Sequence, residues 1–290
     1  MNLREFVENN PRLVVRKASL RHPGLYVLKY HNRVFYDNLW TPELEECRGT
    51  VVDEDWQVVV RPFRKIYNRH ERGTDIPRDE IVTAVRKVNG FMGAVTWSPL
   101  RNEIIYSTTG SLDSDYAVLV EQHLKNFVPS HHYARPVTWL FEICDASDPH
   151  IIKERPGAYL IGGRDVETGE LLSEEVLDSV AEAQGFKRPD WWRGQFSDVV
   201  NETKRCTHEG FVVYGQDTAL KIKSPHYLTK KLFARLNPAR LTSGWIADNK
   251  AQLEEEYFPL ADHIAEHRVT FAALAEQDRL KFIEDFISEN

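Results

Sequence analysis

The hydrophobic rhythm of the chain changes at Pro225, and that change most constrains the fold. Before it, apolar residues come in short runs between turns: Leu25-Tyr26-Val27-Leu28, Gly49-Thr50-Val51-Val52, Val58-Val59-Val60, Ile104-Ile105-Tyr106, Thr138 to Ile143, Tyr159 to Gly162, Gly210 to Tyr214 and Ala219 to Ile222. Each has the length and the β-branched or aromatic character of a strand. After it, residues 226–236, 248–266 and 269–288 repeat their apolar positions at helical spacing. Helices are also predicted over 3–9, 115–127 and 173–184, the last with Ser173 as N-cap and Gly185 as stop. The fold class is therefore α+β, with a body built on antiparallel sheets over residues 1–228 and a small all-helical C-terminal domain over 229–290.

A chain of 290 residues with 42% hydrophobic content can bury such a core. No apolar run approaches the roughly 20 residues that span a bilayer, so no membrane partner is expected. The start, Met1-Asn2-Leu3-Arg4-Glu5, lacks the apolar stretch of a signal peptide. Cys47, Cys144 and Cys206 lie far apart, without pairing or metal-ligand spacing, which points to reduced thiols and a cytoplasmic protein. The net charge of −7 argues against a nucleic-acid partner until its distribution is considered. Residues 248–290 hold eleven Asp/Glu against four Lys/Arg, which accounts for all of it. Arg61 to Arg72 carries five Lys/Arg and one Glu, and Lys221 to Arg240 carries six Lys/Arg and no acid. Such clusters, not the total, decide whether a surface attracts phosphates.

Four segments carry candidate chemistry. Lys87-Val88-Asn89-Gly90 has the form of a turn that presents an amine, although a plain surface turn would have the same form. In Trp139-Leu140-Phe141-Glu142-Ile143 a carboxylate interrupts an apolar strand. Unless that strand is an edge, Glu142 must face a cation, a metal or a hydroxyl. Glu209 immediately precedes the strand-like Gly210-Phe211-Val212-Val213-Tyr214, where glycine allows close approach of a ligand. In Leu220-Lys221-Ile222-Lys223-Ser224-Pro225, alternation puts Lys221 and Lys223 on one face. Two ammonium groups there require an anion between them, for which a phosphate is suited. An exposed edge guarded by lysines is the competing reading.

In this order the segments resemble the motif series of the covalent nucleotidyltransferases, and in detail the bacteriophage-type ATP-dependent RNA ligase 1 family. Cys47-Arg48-Gly49-Thr50, Arg61-Pro62-Phe63-Arg64-Lys65-Ile66-Tyr67-Asn68 and Gly162-Gly163-Arg164-Asp165-Val166-Glu167-Thr168-Gly169-Glu170 resemble further stretches of that family. The resemblance covers roughly residues 25–230. It implies an adenylyltransferase domain in which Lys87 becomes covalently adenylylated and Lys221 and Lys223 serve the α-phosphate. Arg48 and Lys65 would reach the β and γ phosphates, with Gly90 counted among the nucleotide-binding residues. Glu209 belongs to the shell of a Mg²⁺ or Mn²⁺ ion, and Glu142 accepts from the ribose hydroxyls or orients a metal-bound water. Phe211, or another aromatic residue nearby, would stack on adenine. Two departures stand out: Asn89 occupies a position usually held by Asp, and Ser107-Thr108-Thr109-Gly110-Ser111 lacks a lysine often found there.

The implied reaction has three steps: lysyl-AMP formation from ATP, AMP transfer to an RNA 5′-phosphate, and attack by a 3′-hydroxyl to form the 3′-5′ bond. The implied partner is single-stranded or nicked RNA, and the implied protein a monomer from a bacterium or phage-infected cell. A DNA ligase-like enzyme would share the motifs but is expected to carry five further strands, whereas the 67 residues after Lys223 have helical spacing. A catalytically silent nucleic-acid-binding relative would not need the lysine turn. His263 and His267, spaced i, i+4, suggest metal binding less than an exposed helix face. His131-His132 is a second histidine pair, and Trp191-Trp192 is expected to pack between subdomains.

Overall fold

The structure is a computed structural model and describes residues 3–129 and 135–289. Its strands are β1 (Val14–Ala18), β2 (Tyr26–Tyr30), β3 (Arg48–Val52), β4 (Val58–Val60), β5 (Tyr67–Asn68), β6 (Ile81–Arg86), β7 (Phe91–Ser98), β8 (Glu103–Thr108), β9 (Val137–Cys144), β10 (Gly157–Asp165), β11 (Trp191–Gln195), β12 (Gly210–Tyr214) and β13 (Ala219–Lys223). The helices are α1 (Leu3–Asn9), α2 (Asn32–Tyr36), α3 (Pro42–Glu46), α4 (Asp115–Leu124), α5 (Glu174–Gln184), α6 (Phe196–Thr203), α7 (Pro225–Arg235), α8 (Pro238–Thr242), α9 (Trp245–Asp248), α10 (Phe258–Glu266), α11 (Arg268–Ala273) and α12 (Glu276–Glu289).

Contacts divide the chain into two units. The first comprises residues 1–65, 90–149 and 154–189. It holds two four-stranded antiparallel sheets, ordered β1-β2-β3-β4 and β10-β9-β7-β8. Val27, Val51 and Val60 from one sheet, with Leu25 just before β2, pack against Ala94, Ile105 and Leu140 from the other. A second cluster, around Phe127, Trp139, Phe141 and Leu160, places Val120 and Leu124 of α4 and Leu177 and Ala181 of α5 on the β9 sheet. Arg164 locks part of this unit from inside. It is 5% exposed and grips Glu46 with two bonds of 2.9 and 2.6 Å, while donating to the carbonyls of Pro62 and Gly169.

The second unit comprises residues 66–89, 150–153 and 190–290. Its sheet runs β11-β6-β12-β13-β5, antiparallel except for the short β5–β13 pair. Val82, Ala84, Phe211, Val213, Leu220 and Ile222 cover one face together with Phe196 and Val199 of α6. The helices after β13 share their own cluster, including Leu232, Ile246, Tyr257, Leu260, Ile264, Phe271 and Ile283.

The predicted α+β class and the helical ending are both present. The apolar runs listed from the sequence do not include β1, β5, β6, β7 and β11. Trp191-Trp192, expected as subdomain packing, opens β11 and pairs with Val85 and Ala84 of β6. The helix predicted over 248–266 is broken into two 3₁₀ turns, Lys250–Gln252 and Glu255–Tyr257, before α10. Pro259 sits in the first turn of α10, where its missing N–H costs nothing and where it could not have continued an earlier helix. Gly185 closes α5 in a left-handed conformation as predicted, while Ser173 sits at the N-cap without a side-chain capping bond. Among the described residues, no helix is long and apolar enough to cross a membrane.

Candidate active site

In the second unit, strand register brings the lysines to one sheet face. Lys87 directly follows β6, and its N–H donates to the Gly210 carbonyl at 2.8 Å. Gly210 is paired in turn with Lys223, and Val212 with both Val85 and Lys221. Directly opposed residues share a face, so Lys87, Lys221 and Lys223 lie on one side and Phe211 and Ile222 on the other. Gly210 separates Lys87 from Lys223 and could not be another residue. Its φ is +131°, and a Cβ would sit 2.1 Å from the Ile222 carbonyl oxygen.

Glu209 is 3% exposed and holds the lysine turn. Its Oε2 accepts from Lys87 Nζ at 3.0 Å and from Asn89 Nδ2 at 2.6 Å. Asn89 Oδ1 accepts the Ile152 N–H at 2.9 Å. Asn89 thus acts as donor and acceptor at once. An aspartate would lose the donor and set a second buried carboxylate against Glu209, which explains the departure from the usual acid. Lys87 thus donates to a carboxylate that also holds the neighbouring turn.

Lys223 meets an anion, but that anion is a carboxylate of the protein. Its Nζ donates to Glu256 Oε1 at 2.7 Å, and the same oxygen accepts from Lys231 Nζ at 2.7 Å. Burial works against the Glu256 carboxylate, yet the charges of Lys223 and Lys231 outweigh it and hold the acid well below the usual range. The Tyr227 ring lies 5.6 Å from Lys223 Nζ and 5.5 Å from Lys231 Nζ. Burial, and then the Glu209 charge, push the Tyr227 phenol up. Ser224 caps α7 by accepting the Tyr227 N–H, so the strand end and the helix start form one rigid joint.

The first unit carries the other expected residues. Glu142 lies in β9, which is flanked by β10 and β7 and is not an edge. It is 8% exposed, and its Oε1 accepts the Gly90 N–H at 3.0 Å. Gly90 packs on β9 so closely that a Cβ would lie 2.3 Å from the Ile143 carbonyl oxygen. Arg48 opens β3 and is half-buried. Lys65, also half-buried, has its Nζ 5.0 Å from the Trp40 ring and 5.8 Å from Phe35. Phe211, the expected adenine platform, is buried in the second unit's core on the sheet face opposite Lys221 and Lys223. Among the described residues, His263, Glu266 and His267 form one group with metal-ligand spacing, its atoms within 4.8 Å of one another. His263 stacks on Phe282 and Phe286, which is a packing role for that ring. His131 and His132 lie outside the described residues.

Sequence reasoning missed Tyr227, Lys231 and Glu256. The available signal was charge: the acid-free basic run of 221–240 is followed by Glu254-Glu255-Glu256.

A family model described as RNA ligase matches residues 46–227, more than half of the chain and every motif from Arg48 to Lys223. The chain belongs to the RNA ligase family. Among solved structures, this RNA ligase family member is similar to an archaeal ATP-dependent RNA ligase in two forms. The first is 14% identical, with a TM-score of 0.61, over 100% of this chain and 80% of that one. The second is also 14% identical over the same shares, at a TM-score of 0.58. An Aquifex aeolicus protein assigned as an ATP-dependent DNA ligase is 14% identical over 99% of this chain and 76% of its own, at 0.55. At such identity these are likenesses of fold, and the fold alone does not separate RNA from DNA ligation. No curated protein matches the ligase by sequence.

Proposed function

We propose that the chain seals RNA through a covalent lysyl-AMP on Lys87, using ATP. The observation that carries this reading is the shared sheet face, with Lys87, Lys221 and Lys223 together and the buried Glu209 on Lys87. A fold needs no lysine paired with a buried glutamate beside a second lysine, whereas nucleotidyl transfer needs an amine, an anion site and an acid in that arrangement.

In this reading Lys87 must leave Glu209 and lose a proton before it attacks. Its Nζ lone pair then forms the bond to the α-phosphorus as the bond to the bridging oxygen breaks, and pyrophosphate leaves in line. Lys221 and Lys223 offset the charge that develops on the α-phosphate oxygens. Arg48 and Lys65 are suited to the β and γ phosphates, and Glu142 to the ribose hydroxyls or a bound water. Glu209 offers hard carboxylate oxygens, a donor type that suits Mg²⁺ or Mn²⁺. Such an ion, when bound, supplies positive charge next to the phosphates. An RNA 5′-phosphate oxygen then takes the AMP from Lys87, and a 3′-hydroxyl attacks that 5′-phosphorus and expels AMP. Residues 1–228 carry these motifs, and residues 229–290 are the portion left to select the RNA. The buried position of Phe211 leaves adenine stacking to another residue.

The test is incubation with α-labelled ATP or α-labelled GTP and Mg²⁺, with Lys87→Ala beside the wild type. A protein label from ATP alone, absent in the variant, supports the reading. A labelled Lys87→Ala protein, or wild-type protein shown bare by intact mass yet unable to take label, overturns it. Sealing assays on nicked RNA and nicked DNA then separate the two polynucleotides.

A further inference from the structure

We propose that Glu256 is a positioning residue for Lys223, so that the helical end of the chain completes the phosphate-binding face of the sheet. This rests on the role proposed above for Lys223.

Glu256 lies in the short 3₁₀ turn Glu255–Tyr257, which α7 holds in place: the buried Tyr257 donates its hydroxyl to the Leu228 carbonyl at 2.8 Å. From there Glu256 reaches Lys223 and Lys231 through one oxygen, and the three side chains are 9%, 11% and 6% exposed. Lys231 also binds Glu254, which pairs with Arg235. Three cations therefore face two carboxylates. Glu256 alone would neutralise Lys223 and weaken its pull on a phosphate. With Lys231 and Arg235 added, the cluster keeps a net positive charge while Lys223 is held in one place.

Lys223 makes one described hydrogen bond, to Glu256, and an ammonium has three protons. Protons therefore remain for a phosphate while the side chain stays anchored. Lys223 and Lys87 stand on either side of Gly210, two strand spacings or roughly 10 Å apart at the backbone, within reach of one phosphate from both sides. A lysine fixed there in advance does not have to be ordered during the reaction, which is where positioning raises a rate. An ion pair that served only to attach the helices would be complete with Lys231, Glu254 and Arg235, and would have no need of a strand lysine on the motif face.

The experiment measures single-turnover lysyl-AMP formation by the full chain across ATP concentrations, for wild type, Glu256→Gln, Lys223→Met and the double variant. Labelling of the wild type decides the ligase reading, and the variants decide this one. Glu256→Gln is expected to slow the rate constant by about 10- to 100-fold with a smaller change in the ATP KM. In the Lys223→Met background the same change is expected to cost less than about twofold, because Glu256 acts through that lysine. Glu254→Gln, which touches Lys231 and Arg235 but not Lys223, is expected to stay within about threefold of wild type. Should Glu256→Gln fail to fold, Glu256→Asp keeps the charge but withdraws it by one methylene, and the same loss with the same non-additivity is expected. A wild-type or faster rate in either Glu256 variant overturns the proposal. So does an equal loss with and without Lys223, or a loss in Glu254→Gln that matches Glu256→Gln.

Discussion

Gly210→Ala is predicted to damage stability and labelling together. The new methyl would sit 2.1 Å from the Ile222 carbonyl oxygen, 2.8 Å from Lys223 Cα and 3.0 Å from the Ile222 carbonyl carbon. All three are backbone atoms, so no side-chain rotation relieves the overlap. Relief requires β13 to move away from β12, and Lys223 moves with it. The φ of +131° adds a separate cost of about 1–3 kcal/mol for a residue with a Cβ. Overpacking of this kind costs about 1–3 kcal/mol more. A total near 4 kcal/mol corresponds to a fall in Tm of roughly 10 °C for a chain of this size. Displacement of Lys223 by about 1 Å should lower lysyl-AMP formation about 100-fold at a temperature where both proteins are folded. The control is Gly73→Ala, where φ is +72° but nothing lies within 4 Å of the added methyl. It should cost only about 1 kcal/mol and leave labelling unchanged. Thermal unfolding and labelling read both variants. A Gly210→Ala protein with wild-type Tm and rate would refute the reasoning about the Lys87–Gly210–Lys223 row.

Three further outcomes are expected. Arg164→Met strands the Glu46 carboxylate, only 12% exposed, and should destabilise the protein by about 3 kcal/mol in denaturant unfolding, more than any single exposed ion pair. The Glu256 carboxyl is held below its unfolded value of 4.5, so its stabilising contribution is complete above that pH and is lost as pH falls through the depressed folded value. Wild type should therefore lose more stability than Glu256→Gln as pH is lowered from about 4.5, measured by Tm against pH. Burial, with Glu46 and Glu43 adding to it, pushes the Cys47 thiol up to about 12, so mass spectrometry after brief alkylation at pH 8 should find it unmodified in the folded protein.

What the sequence reveals follows the range of the interactions. Alternation in Leu220 to Lys223 is a local property, and it places Lys221 and Lys223 on one face without any tertiary knowledge. The acid inside the Trp139–Ile143 run is equally local, and its strand is interior as burial of a charge requires. Phe211 shows the limit of that reasoning. The same alternation that puts Lys221 and Lys223 on one face turns Phe211 to the other with Ile222, but seeing this needs the β12–β13 register. β6 escapes notice because its role is set by its neighbours: it lies between β11 and β12 and delivers Lys87 opposite Gly210. The Arg164–Glu46 and Lys223–Glu256 pairs join residues far apart in sequence, and no periodicity connects them.

Two lysines on one strand face, as in Lys221-Ile222-Lys223, demand an anion, but that demand constrains charge without specifying its source. Lys87 is met by Glu209, and Lys223 by Glu256 from the helical end of the chain. The two carboxylates differ in what surrounds them. Glu209 divides its Oε2 between an ammonium and the neutral amide of Asn89. Glu256 is bound by two ammonium groups at once, the charges that depress its pKa. Under the function proposed above, a divalent ion that displaced Lys87 from Glu209 would itself supply a positive partner for the acid. Replacing Lys223 on Glu256 would still leave Lys231 in place, so the pair has no comparable reason to open. On that proposal the acid whose partner exchanges lies beside the proposed nucleophile, and the acid that keeps its partners lies beside the lysine proposed to stay fixed on the α-phosphate.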